Sequence, residues 1–171
     1  MVKIIGAALI LLGTCAWGFN RVRRLTDHVA VLDDVISSLE MMKNEICIGF
    51  VPMKSVMQSL AESTPGALSI LYGQIAEKMD GLRKESFELI WCSCIENARY
   101  LKLAPDEYSA LSALGPVLGK YDRRAQRSFI ERANSTLSSC RERAVHDKEV
   151  NTRVHAYLGI AAGVFSVVVL A

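Results

Sequence analysis

The feature that most limits the folds available to this chain is an uncharged apolar stretch that continues into a long helical repeat. Residues 4–19 contain no charged side chain, and neither proline nor glycine occurs between residues 20 and 48. In that second stretch apolar residues alternate at spacings of three and four, interrupted at Lys43. This alternation is typical of a helix packed along its length on another helix. The sequence therefore predicts one helix that begins in a membrane and continues into water. The apolar seam of this helix consists of Val22, Leu25, Val29, Leu32, Ile36, Leu39 and Ile46.

A second apolar block, residues 156–171, lies at the other end of the chain. Of the twenty Lys and Arg residues only Lys3 lies outside residues 20–155, and all eighteen acidic residues lie inside. Each block alone would span roughly 24 Å of a hydrocarbon core about 30 Å thick. Lys3 and Arg153 can reach past the block ends to the interface, which closes the gap. We therefore expect two transmembrane helices. The alternative is a pair of buried core helices, which would need each other as cover.

Cleavage of the first block is a further alternative. Leu12-Gly13-Thr14-Cys15 resembles a lipoprotein cleavage box, and Lys3 provides a short basic region before it. Thr14 is bulky for the residue before a cut, and arginines follow soon after. These features favour an uncleaved anchor.

Basic residues near the membrane ends predict the orientation. Seven lie on the side of the middle domain, and Lys3 stands alone on the other side, so the middle should be cytoplasmic and both termini outside. The predicted organisation is a transmembrane segment at 1–20, a cytoplasmic helical domain at 21–154 and a second transmembrane segment at 155–171. The seven residues are Arg21, Arg23, Arg24, Arg141, Arg143, Lys148 and Arg153.

The middle of the chain is predicted to be an all-α bundle, since no alternating pattern is long enough for a strand. Its first helix should end near Gly49, and its last helix should begin at the N-cap residue Asp122. Between them the sequence predicts helices over Met53–Glu62, Leu68–Met79 and Phe87–Leu101, another from Pro105, and a kinked turn over Gly115–Tyr121.

The two long helices differ in charge. Residues 25–48 carry one lysine against five acidic residues, a net charge of −4, whereas residues 120–155 carry nine basic against five acidic residues, a net charge of +4. We expect these helices to pair antiparallel, although charged faces exposed to solvent would also explain the pattern. The predicted helix-pair seam comprises Leu25, Val29, Leu32, Ile36, Leu39, Ile130 and Leu137.

No pattern for catalysis or cofactor binding appears in the sequence, and we expect a protein that is not an enzyme and holds no metal or cofactor. The acid pairs Asp33-Asp34 and Asp106-Glu107 are adjacent on predicted helices, which favours solvated faces. Four cysteines should serve as small apolar residues with reduced thiols. They are Cys47, Cys92, Cys94 and Cys140.

A basic cluster near the start of the last helix is the candidate partner-binding site. It could steer an acidic protein surface, or it could simply keep that end of the domain soluble. Nucleic acid is disfavoured because few aromatic residues are interleaved and the domain is tied to a membrane. The candidate residues are Lys54, Lys120, Arg123, Arg124 and Arg127.

Three motifs in order resemble the stage III sporulation protein AB family. The first is the glycine-bounded run from Gly6 to Gly13 that closes on Gly18-Phe19; the second reads E-I-x-x-G-x-x-P-M from Glu45; the third reads L-G-x-x-L-G-x-x-D-x-x-x-Q from Leu114. The resemblance covers the whole chain. Pro116 departs from the charged residue expected in the third motif, which puts charge binding by that turn in doubt.

The resemblance implies a membrane component of the channel between mother cell and forespore. The family resembles the platform protein of type II secretion and type IV pilus machines, so the implied partners are the stage III sporulation AA ATPase and other membrane proteins of the stage III sporulation A operon. The contact with the ATPase is predicted at Gly119–Arg127 with the Met53–Glu62 helix beside it, and the protein could also form a homo-oligomer. The alternative is a passive membrane-anchored scaffold that oligomerises without contacting a motor.

Overall fold

The structure is a computed structural model, which describes the backbone of residues 2–81, 85–119 and 122–170 and the side chains of 23–81, 85–119 and 122–150. Across these ranges the chain is helical and contains no β-strand, so the all-α prediction is confirmed. The helices are α1 (Val2–Cys47), α2 (Met53–Ser63), α3 (Gly66–Met79), α4 (Phe87–Asn97), α5 (Pro105–Ser112), α6 (Gly115–Leu118) and α7 (Arg123–Leu170), with a 3-10 turn at Arg99–Leu101.

The chain forms two compact units. One is Ala30–Arg141, and the other combines Met1–Val29 with Glu142–Ala171. In the described part of the second unit, Leu25 and Val29 are half-buried and Ala144 is buried. The predicted transmembrane segments, 1–20 and 155–171, lie outside the residues whose side chains are described. Among the described residues, no helix is long and apolar enough to cross a membrane.

Within Ala30–Arg141, α1 and α7 run antiparallel in one register. Arg141 donates from its guanidinium to the carboxylate of Asp33. Seven residues further along α1, Glu40 Oε1 accepts a 2.6 Å hydrogen bond from Asn134 Nδ2. Three residues further, Lys43 Nζ lies 3.9 Å from Glu131 Oε1. Each step forward on α1 is matched by an equal step backward on α7, as the geometry of an antiparallel pair requires.

The buried stripe of α1 is wider than the predicted seam. Val35 and Met42 are completely buried, whereas Ile36, which the heptad pattern placed in the seam, is only half-buried. The reason is that α1 contacts three helices instead of one: besides α7, it bonds to α2 through Glu45 and to α3 through Ser38. The core-facing residues of α1 are Leu32, Val35, Ser38, Leu39, Met42 and Ile46.

Helix α4 ends earlier than the apolar spacing predicted. The α-helix stops at Asn97, and Leu101 belongs to the 3-10 turn that follows. The carbonyl oxygen of Ala98 accepts two hydrogen bonds, one from the Leu101 amide at 3.0 Å within the 3-10 turn and one from the Tyr108 hydroxyl of α5 at 2.7 Å. Lys102 then takes a left-handed conformation, with φ 54°, which turns the chain towards α5.

The predicted kinked turn after α5 contains a short helix. Gly115–Leu118 form α6, and Pro116 fits because the first-turn amides of a helix lack intrahelical acceptors. A Cβ at Gly115 would lie 3.0 Å from both Cys92 Sγ and Trp91 Cδ1, so glycine allows α6 to pack closely on α4. Trp91 is completely buried and donates from Nε1 to the Leu111 carbonyl at 2.8 Å.

The predicted start of the last helix is confirmed. Asp122 Oδ1 accepts a 2.8 Å hydrogen bond from the Ala125 amide, as an N-cap carboxylate does, and α7 begins at Arg123. About one turn after this cap, Gln126 of α7 is buried and its Nε2 donates to the Leu118 carbonyl at 2.9 Å. The side chain of Gln126 thereby fixes the start of α7 against α6.

Candidate partner-binding surface

The predicted basic cluster separates into residues with different local partners. Lys54 Nζ lies 2.5 Å from Asp80 Oδ1, and Arg127 Nε lies 2.9 Å from Glu131 Oε1. These ion pairs take up part of the positive charge that the sequence suggested would face a partner. The Glu131 carboxylate also raises the pKa of the Arg127 guanidinium.

Arg123 and Arg124 retain an exposed position at the start of α7. The guanidinium carbon of Arg123 lies 3.8 Å from the centroid of the Phe50 ring, a cation–π contact. Lys120 lies outside the described residues. A partner-binding role for the five basic residues stays a prediction.

The contact with Arg123 brings the loop after α1 next to the start of α7. The Cys47 thiol lies 3.7 Å from the Arg123 carbonyl oxygen, which ties the last turn of α1 to the first turn of α7. In the loop that follows, Ile48 is 74% exposed and Phe50 is 64% exposed. The exposed aromatic side chain was missed at the sequence level, where Phe50 belongs to no helical pattern.

Backbone hydrogen bonds hold this loop in a defined conformation. The Gly49 amide donates to the Asn44 carbonyl at 3.1 Å, and the Val51 amide donates to the Glu45 carbonyl at 3.2 Å. A Cβ at Gly49 would meet the Glu45 carbonyl oxygen at 3.0 Å, so the loop packs tightly against the end of α1. The left-handed residue after the helix is Phe50, with φ 55°, whereas the sequence pattern suggested the flexible Gly49 for the end of α1.

The residues of the predicted helix-pair seam are buried to different extents. Leu32, Leu39, Ile130 and Leu137 are completely buried in the core of Ala30–Arg141, and Ile36 is half-buried. In the other unit, Leu25 and Val29 are half-buried.

A buried hydroxyl pair inside this core was missed at the sequence level. Ser38 Oγ donates to the Val35 carbonyl at 2.7 Å and lies 2.7 Å from the Tyr72 hydroxyl. Since the Ser38 proton is used on Val35, Tyr72 donates to Ser38. Burial raises the pKa of Tyr72 to about 12, so its hydroxyl stays protonated. The signal in the sequence was a single serine on the apolar face of α1.

The acid pairs are not both solvated faces. Asp33 is bonded to Arg141, and Glu107 is 3% exposed, with its Oε2 accepting a 2.7 Å hydrogen bond from the Ala104 amide. The Asp33 side chain stays 47% exposed while it pairs with Arg141, which is consistent with a solvated face. The prediction is wrong for Glu107, which turns inward beside the exposed Asp106 because adjacent residues on a helix point about 100° apart.

The cysteines of the described region are free thiols. Cys94 and Cys140 are buried, and burial raises the pKa of the Cys94 thiol. Burial, with Glu88 and Glu96 nearby, also raises the pKa of the Cys92 thiol. Protonated, shielded thiols suit the predicted packing role. No group of three or more metal-ligating side chains occurs among the described residues.

Comparison with known proteins assigns the chain to a family. The family model for Stage III sporulation protein AB matches residues 3–171. Stage III sporulation protein AB of Bacillus subtilis (strain 168) is 25% identical over 171 residues, which cover 99% of each chain. A solved structure of a Stage III sporulation protein AB has the same fold, with a TM-score of 0.67 and 21% identity, and covers 72% of this chain and 98% of its own. The chain belongs to the stage III sporulation protein AB family.

Proposed function

We propose that this protein is a non-enzymatic platform in the mother-cell membrane around the forespore. The two terminal apolar blocks anchor it, and the helical domain between them extends into the cytoplasm. There it couples the stage III sporulation AA ATPase to the other membrane proteins of the channel. Family membership supports a role in sporulation, and the coupling role is our extension of it.

The observation that carries this proposal is the fixed antiparallel pairing of α1 and α7. Three polar contacts, each in the same register, join the two helices between Asp33–Arg141 and Lys43–Glu131. Two chain ends anchored in one membrane need a connecting domain in which the outgoing and returning helices run in opposite directions. A helix pair locked in register also transmits a displacement without sliding, which is what a platform between a motor and a membrane complex needs.

The test is co-purification of the full-length chain from sporulating cells. The chain, tagged within the cytoplasmic domain and solubilised in detergent, should retain the AA ATPase together with membrane proteins of the same operon. An untagged strain and a strain carrying an unrelated tagged membrane protein provide the controls. Retention of the membrane proteins without the ATPase would reject the coupling role.

A passive, self-assembling scaffold is the second candidate, and exposed apolar residues on two neighbouring helices favour it. Ile70 on α3 is 55% exposed and Leu89 on α4 is 61% exposed. Such residues become buried if copies of the chain pack through these helices. The scaffold predicts that Ile70→Ser with Leu89→Ser lowers the oligomer size without changing ATPase retention, whereas the platform role does not require any change in oligomer size.

A further inference from the structure

We propose that Ile48, Phe50, Arg123 and Arg124, together called the Phe50 surface, form a docking site for an acidic protein partner. Phe50 and Ile48 enter an apolar depression on the partner, and carboxylates around that depression pair with the two arginines. This inference rests on the proposed function, because the cytoplasmic ATPase is the partner that a platform must hold. It moves the main contact from the basic cluster to an aromatic residue in the loop after α1.

The side chains of the Phe50 surface are presented by fixed backbone. The loop is held by amides of residues 48, 49 and 51 donating to carbonyls in the last turns of α1. Its other side is held by the Cys47 thiol against the Arg123 carbonyl. A large apolar side chain in a preorganised loop loses little freedom on binding, which lowers the cost of association.

The backbone conformation of Phe50 supports a role outside folding. A non-glycine residue with φ near 55° is uncommon, because the left-handed conformation brings its Cβ close to the backbone. The exposed ring gains little stabilisation from burial, since 64% of Phe50 stays accessible. Glycine at this position would fold at least as well, so the phenylalanine is explained better by what it contacts outside the chain.

The charge around Phe50 indicates the chemistry of the partner. Arg123 stacks on the ring, Arg124 is exposed at the next position of α7, and Arg127 is partly neutralised by Glu131. Arginine and large aromatic side chains are enriched among residues that dominate protein–protein binding energy. A guanidinium on the rim pairs with a carboxylate in bidentate geometry, so an acidic protein face fits this surface.

An acidic protein fits better than an anionic membrane. The Arg123 guanidinium lies over the Phe50 ring at 3.8 Å and covers one face of it, so the ring cannot enter a lipid layer without carrying the cation with it. A protein pocket with carboxylates at its edge accepts the ring and the guanidinium together.

The experiment uses the full-length chain in zwitterionic nanodiscs, with the purified ATPase titrated against it. Phe50→Gly removes the ring and accommodates the positive φ, so the variant should fold without a loss in melting temperature. We expect it to weaken ATPase binding at least tenfold. The matched control is Phe129→Ala, which removes another exposed ring that lies 5.7 Å from an arginine, Arg132, and should change binding less than twofold.

A second variant tests the charge. Arg123→Glu with Arg124→Glu should reduce the association rate, and added salt should no longer slow association, because two carboxylates then repel the acidic face that the arginines attracted. The same reversal at Arg132 and Arg143, which are exposed further along α7, serves as the control.

The outcomes distinguish failure of the docking surface from failure of the proposed function. If the ATPase binds the parent and the Phe50→Gly variant equally, the docking surface is wrong and the proposed function stands. If the ATPase does not bind the parent, both are wrong. If the Phe50→Gly variant loses self-association, the occupant of the Phe50 surface is a second copy of the chain. If the parent but not the variant sediments with phosphatidylglycerol vesicles, the occupant is a lipid surface. Either result overturns the proposal.

Discussion

At the scale of single residues, the domain depends on polar side chains buried with defined partners. Ser38 is completely buried in the core and bonds to both Val35 and Tyr72. A buried hydroxyl without a partner costs about 1–3 kcal/mol, so Tyr72 depends on Ser38, whereas Ser38 also has the Val35 carbonyl. The pair links α1 to α3 and fixes how far α1 rotates about its own axis.

We predict that the two hydroxyls are energetically coupled. Tyr72→Phe and Ser38→Ala should each destabilise the domain by about 1–2 kcal/mol, because each leaves the remaining group with fewer hydrogen bonds. The double variant should cost less than the sum by about 0.5–1 kcal/mol. Urea unfolding of all four proteins measures this coupling. Additive losses would show that the two hydroxyls do not interact.

The thiols give a second prediction at this scale. Burial keeps Cys94 protonated and shielded, so native protein at neutral pH should alkylate there only through local opening. Cys47, which is half-buried near the surface, should react first. Mass spectrometry of protein treated with iodoacetamide for increasing times measures the order in which the cysteines are alkylated. Modification of Cys94 ahead of Cys47 would contradict the packing described for α4.

At the scale of elements, local chemistry predicted helix ends well and predicted helix faces less well. Pro105 and Asp122 marked the starts of α5 and α7 because cap and first-turn preferences act within a few residues. The heptad pattern selected Ile36 over Val35 because it assumes one partner helix, whereas α1 packs on three. The left-handed Phe50 could not be foreseen, because the hydrogen bonds of the neighbouring amides to α1, and not its own preference, hold it there.

We predict a strong dependence of stability on the α1 core face. Leu32→Asp places a carboxylate at a completely buried position and should cost several kcal/mol, enough to unfold a domain of marginal stability. Ile70→Asp is the matched control at a position 55% exposed and should change stability by less than about 0.5 kcal/mol. Thermal unfolding followed by circular dichroism compares them. Equal melting temperatures for Leu32→Asp and the parent would refute the assigned core face.

The Glu40 carboxylate, which bonds to Lys43 of α1 and to Asn134 of α7, should make the stability of the domain sensitive to pH. The hydrogen bond from Lys43, with that from Asn134, lowers the pKa of Glu40 below its ordinary value of 4.5. A carboxylate whose pKa is lower in the folded state than in the unfolded state stabilises the fold at every pH above its unfolded-state pKa. This stabilisation is lost as the pH falls through the folded-state pKa. Stability should therefore drop below about pH 4.5 with a slope that Glu40→Gln reduces. Glu62→Gln, at an exposed position of α2, is the control and should keep the slope.

At the scale of the whole molecule, the sequence and the structure contribute different parts of the account. Family motifs spread over the whole chain identified the family, because their order and spacing are specific even though each motif is loose. The candidate site was only partly predictable: charge counting found Arg123 and Arg124, but it could not show that Lys54 and Arg127 already have acidic partners. It also could not find Phe50, since exposure depends on how the loop folds back on α1.

The central claim, that the domain holds a motor at the membrane, is tested most directly by crosslinking in sporulating cells. A photoreactive amino acid replaces Ser128, which is exposed one turn after Arg124 on the same face of α7, in the full-length protein, and the crosslinked products are purified and identified by mass spectrometry. The account predicts a product with the stage III sporulation AA ATPase that disappears when Phe50→Gly is added. Products formed with a second copy of the chain alone would contradict it.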